Sequence, residues 1–143
     1  MLVKKITYED YNGLTRTEEF CFHLSKPELM EMELDTSGGM AAMMERIVNA
    51  QDYSIIVKTF KELILKSYGI KTPDGRGFIK IDDNGVPVAR RFEQSPAFEA
   101  LFMELSTDDK AAAEFVMKVV PKDIADQASK ETSNFLALDG GNK

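Results

Sequence analysis

Cys21 and His23 stand two residues apart in a stretch, Thr17 to Leu24, that reads as a strand, so their side chains share a face and can in principle form a thiolate–imidazole pair. No third orienting group and no oxyanion motif accompanies them; the competing reading is a lone thiol in a partly buried position beside a strand-edge histidine. With one histidine and one cysteine in the chain, a metal site has no further soft ligand to draw on. Gly75-Arg76-Gly77 and Gly38-Gly39 lack the strand–loop–helix context and the lysine of a phosphate cradle, and read as turns. Asp82-Asp83-Asn84-Gly85 offers the oxygens of a calcium loop without its later glutamate or its flanking helices, and is most simply a tight turn. The expectation is therefore no enzyme, no catalytic residue, no cofactor and no metal.

Methionine carries the more distinctive pattern. Met30, Met32, Met40, Met43 and Met44 lie within fifteen residues, and flexible thioethers suit a surface that accepts varied apolar partners. These five are the candidate partner-binding residues. Burial in the core is the alternative, and exposure of the cluster separates the two.

The elements that must position these residues begin with two strands, Leu2–Tyr8 and Thr17–Leu24, separated by Asn12-Gly13. A two-residue turn at Asn12-Gly13 would set Ile6 and Tyr8 on the face opposite Phe20 and Phe22. A register moved by one residue, through a three- or five-residue loop or a bulge, aligns Ile6 and Tyr8 with Phe20, Phe22 and Leu24 on one buried face and is preferred.

Ser25 then caps a short helix reaching Leu34, with Pro27 in its first turn and Glu28 favoured by the helix dipole. Gly38-Gly39 breaks the chain before a second helical stretch from Met40 to about Ala50. Asp52 caps the longest helix, running to Tyr68, with Tyr53, Ile56, Val57, Phe60, Leu63 and Ile64 at helical spacing and Lys58, Glu62 and Lys66 opposite. Gly69 suits a left-handed C-cap there. A loop at Thr72-Pro73-Asp74-Gly75 leads to a short strand, Gly77–Ile81, which turns at Asp83-Asn84-Gly85 toward Val86-Pro87-Val88. Arg90-Arg91 reads as a solvated strand or loop edge. Ser95-Pro96 opens a helix with Phe98, Leu101, Phe102 and Leu105 on one stripe. Thr107-Asp108-Asp109 opens another, with Phe115, Val116 and Val119 inward until Pro121.

The fold class is α+β, mainly α: an N-terminal β-hairpin followed by a compact bundle of about five helices with a short central hairpin or loop. Residues 1–121 form one domain and residues 122–143 a fraying helix and flexible tail. A net charge of −6 leaves no basic face for phosphates, so nucleic acid is not an expected partner. There is no cationic and apolar leader and no apolar run near the ~20 residues that cross a bilayer, which points to a cytoplasmic protein with no membrane partner.

Ile6-Thr7-Tyr8 with Tyr11-Asn12-Gly13, Arg16 to Phe20 and Leu24 to Leu34 resembles the opening of the tail assembly chaperones of long-tailed phages and prophages. Tyr68-Gly69, Pro73 to Arg76, Phe78-Ile79-Lys80, Phe92, Ser95, Ala97-Phe98, Leu101 to Leu105, Asp108 and Ala111-Ala112 resemble the later part of the same pattern, so that the likeness spans roughly residues 1–121. Asp82 to Pro87 departs from it, since a more charged, serine-containing stretch usually leads into the phenylalanine.

The resemblance implies a chaperone in the bacterial host cytoplasm that binds the tape-measure protein and tail-tube subunits before assembly. It also implies absence from the mature virion and, often, a longer form made by translational frameshifting. The alternative from another class is a phage- or prophage-encoded inhibitor or regulator binding a host protein.

Overall fold

The structure is a computed structural model and describes residues 1–32 and 53–123 together with Gly39, Ala42, Glu45 and Asp126. Two strands open it, β1 (Leu2–Glu9) and β2 (Thr15–Phe22), paired antiparallel with Leu2 opposite Phe22, Lys4 opposite Phe20 and Ile6 opposite Glu18. This is the shifted register that the apolar pattern demanded. Asp10 N donates to Leu14 O at 2.8 Å, closing the loop Tyr11-Asn12-Gly13, and Gly13 takes φ +81°, which a glycine adopts without a Cβ penalty. Ile6, Phe22 and Leu24 are consequently buried, with Tyr8 and Phe20 packed against them.

Helix α1 (Lys26–Glu31) begins at Ser25 with a reciprocal capping box. Ser25 Oγ accepts from Glu28 N at 3.3 Å while Ser25 N donates to Glu28 Oε1 at 2.9 Å. The helix closes at Met32; the expected continuation to Leu34 lies outside the described residues. So do most of the Met40–Ala50 stretch, the Asp52 cap and nearly all of the expected tail. Gly39 has helical backbone, against the chain break expected there.

Helix α2 (Tyr53–Ser67) is the longest among the described residues. It buries Phe60, Leu63 and Ile64 and exposes Lys58, Glu62 and Lys66, as its apolar stripe requires. Its end differs from the expectation. Instead of a left-handed cap at Gly69, the chain passes directly into β3 (Tyr68–Lys71), and Gly69 has no positive φ. Pairing explains this: Cys21 lies opposite Gly69 and Phe22 opposite Tyr68, so the open edge of β2 captures the chain in extended form and overrides the local capping preference. His23 N donates to Ser67 O at 2.7 Å at the same junction.

β4 (Phe78–Ile79) follows the Thr72–Gly77 turn, completing a four-stranded sheet in the order β1-β2-β3-β4. The expected return strand at Val86–Val88 is reduced to one bridge, Ile81 to Pro87. Helix α3 (Val88–Glu93) begins there, so Arg90 and Arg91 are helical and not a strand or loop edge. Pro87 at φ −59° is already set for a helix start.

Helix α4 (Pro96–Thr107) starts at Ser95, whose Oγ accepts from Phe98 N. Helix α5 (Asp109–Val119) starts at Asp108, which accepts from Lys110 N and Ala111 N. Leu101 and Leu105 of α4 and Phe115, Val116 and Val119 of α5 are buried. α4 packs against β1, α2 and α5, so the helices cover one face of the sheet. Between the layers Tyr68 stacks on Phe92 with centroids 4.2 Å apart, and Phe22 meets Phe115 edge-on at 5.3 Å. The outcome is the expected α+β fold, mainly α, with the later strands enlarging the hairpin into a sheet.

Candidate functional site

Among the described residues, those with reactive side chains do not converge. Among the described residues nothing hydrogen-bonds the buried His23 Nδ1, so Cys21 makes no hydrogen bond to that nitrogen. The imidazole instead stands edge-on to Phe78 at 6.1 Å. Burial holds its pKa below the ordinary 6.5, helped by the positive N-terminus and Lys80 and opposed by Glu28.

Lys80 Nζ acts as a structural pin, donating to Glu28 Oε2 at 2.9 Å, His23 O at 2.9 Å and Lys66 O at 2.5 Å. It thereby ties the end of β2, the start of α1 and the end of α2 together. Burial raises the Glu28 pKa, but the Ser25 amide and Lys80 outweigh that and hold it below the ordinary 4.5. Burial also lowers Lys80, with Glu28 opposing.

The glycine-bearing loops are self-satisfied. Asp82 Oδ1 accepts the Asn84 and Val86 amides at 2.9 Å each, and Asp10 Oδ1 does the same for Asn12 and Leu14 at 2.8 and 2.9 Å. The two turns therefore share one Asp-x-Asn-Gly design. Asp74 likewise engages the Thr72 hydroxyl and the Arg76 amide, and no group of three or more acidic, histidine or cysteine side chains among the described residues is placed to hold a metal.

The candidate methionines separate. Met30 is 61% exposed, whereas Met32 packs partly buried against the core. Met40, Met43 and Met44 lie outside the described residues.

A different apolar surface emerges where α3 leaves the sheet. A cleft of about 780 Å³ is lined by the apolar side chains of Phe20, Tyr68, Ile70, Val86, Pro87, Val88 and Phe92, with Arg90, Arg91 and Asp82 among its polar lining. Burial, and after it Cys21, pushes the Tyr68 phenol upward, so this ring stays uncharged. Ile79 is the direct cross-strand partner of Ile70, and Ile81 bridges to Pro87; the three isoleucines are 47%, 38% and 61% exposed at 70, 79 and 81.

Sequence reasoning missed this site because it placed Gly69 in a cap and Arg90-Arg91 in a strand or loop edge. The available signal was the apolar spacing Ile70, Phe78-Ile79 and Ile81 around the Thr72–Gly77 turn, a hairpin pattern in its own right. No described helix is long and apolar enough to cross a membrane.

Comparison with known proteins adds a family. No curated protein and no solved structure matches the chain. A family model described as phage tail assembly chaperone matches residues 1–139, extending past the 1–121 span of the resemblance and covering nearly all of the sequence. The open apolar cleft is consistent with that role, and the chain belongs to the phage tail assembly chaperone family.

Proposed function

We propose that this protein is a non-enzymatic holding chaperone that binds the tape-measure protein and tail-tube subunits in the bacterial host cytoplasm and is left out of the finished particle. Beyond family membership, the observation that carries this reading is the open apolar cleft continuing into Ile70, Ile79 and Ile81. A long helical tape-measure chain exposes apolar stripes until the tube encloses it, and an acidic partner with an apolar face can cover them meanwhile. Holding of this kind needs neither nucleotide nor metal. Met30, Met32 and the segment bearing Met40, Met43 and Met44 are proposed to contribute further adaptable contacts. Residues 1–121 are proposed to act as one domain.

The test is to tag the protein in infected cells and follow it through tail maturation. Recovery with tape-measure and tube proteins before assembly, with none in purified particles, supports the reading. Stoichiometric retention in particles makes it a virion subunit and overturns it.

A further inference from the structure

Arg90 and Arg91 line the apolar cleft, and neither has an ion-pair partner among the described residues. Their helical neighbour Glu93 is engaged elsewhere, by Lys61 at 3.0 Å. Asp82, the acidic side chain in the lining, has Oδ1 occupied by two amides of its own loop. A chain with net charge −6 thus places two adjacent guanidinium groups, unpaired among the described residues, beside its open apolar surface. Guanidinium forks match carboxylates bidentately and are weakly hydrated, so they suit an interface that is partly desolvated on binding. The apolar surface also runs beyond the cleft lining, from Ile70 to its cross-strand partner Ile79 and from Pro87 to Ile81, as an extended segment would need.

We propose that this cleft seats a client segment in which an apolar stripe is flanked by acidic side chains, the stripe lying on Phe20, Tyr68, Ile70 and Phe92 and the carboxylates meeting Arg90 and Arg91. The proposal rests on the holding function above and adds the chemistry of the segment held. It gives the chaperone a means of choosing among apolar stripes: those bordered by lysine are repelled at the rim, and those bordered by glutamate are steered in.

The experiment measures fluorescence polarisation of two labelled amphipathic peptides of about 20 residues, identical in their leucine stripe and flanked by glutamate in one and lysine in the other. The full chain is expected to bind the glutamate peptide about tenfold more tightly, with the difference shrinking as salt rises from about 0.05 M to about 0.5 M. Arg90→Glu with Arg91→Glu, both exposed positions, is expected to reverse the order. Ile79→Glu is expected to weaken the glutamate peptide further while leaving the melting temperature near that of the parent.

Equal binding of both peptides, or an unchanged preference in the folded double-arginine variant, overturns the proposal. The double variant is also co-expressed with the tape-measure protein. If it keeps the client soluble as the parent does, this cleft is not the seat and the holding function stands. If the parent itself gives no gain, the holding function fails whatever the peptides do.

Discussion

A Cβ built on Gly69 would lie 2.3 Å from the ring of Phe78, closer than side-chain atoms approach without displacement. The ring can reach across the sheet only because position 69 has no side chain, and the close approach involves β3, which pairs with both β2 and β4. Gly69→Ala is expected to destabilise the fold by about 1–3 kcal/mol through overpacking, measured by urea denaturation. Because Gly69 has no positive φ, the cost comes from the ring, and adding Phe78→Ala should recover part of it. Loss of the same stability whether or not the ring is present would refute this cause.

Phe60 is 1% exposed at the centre of α2. Phe60→Ala is expected to cost about 3–5 kcal/mol in chemical denaturation, as for other large-to-small core replacements. A loss below about 1 kcal/mol would mean that the position is not packed as described.

His23 and Glu28 give the protein an acid-sensitive stability. His23 has a folded pKa below its ordinary 6.5, so the unfolded chain takes up a proton first and stability declines as pH falls below that value. Glu28, also lowered, adds its loss as pH falls below its ordinary 4.5 and on through its folded value. Thermal melts across this range should show the first decline disappear in His23→Gln while the second remains. A His23→Gln variant with an unaltered pH profile would contradict the depressed histidine.

The elements themselves were readable in the chain where a local rule and the apolar period agreed. Ser25 caps as its position suggests, helices open at Ser95 and Asp108, and Phe60, Leu63 and Ile64 are buried as their spacing requires. The hairpin register followed from a conflict of faces that only a one-residue shift resolves. What escaped depends on pairing between distant segments. Gly69 satisfies a helix C-cap rule locally and is drawn into a strand by Cys21 and Phe22; Arg90-Arg91 is too short a signal to declare a helix before Pro87 is seen to start one. The apolar cleft lies between those two misread pieces, which is why the methionines drew attention and the isoleucines did not.

The methionine-bearing segment carries its own expected outcome. Replacing Met40, Met43 and Met44 together with glutamate should lower the chaperone's effect on client solubility while circular dichroism shows a folded domain, as the contact role proposed for these thioethers requires. Global unfolding of the variant would assign these residues to the core. A folded variant with full effect would remove them from the client surface.

The most direct measurement of the central claim is the soluble yield of the tape-measure protein expressed with and without this chain. A holding chaperone predicts a several-fold rise in soluble tape-measure protein and its recovery in complex with the chaperone, since exposed apolar stripes are covered before they associate with one another. An unchanged soluble yield, with both proteins well expressed and no complex recovered, would contradict the holding function.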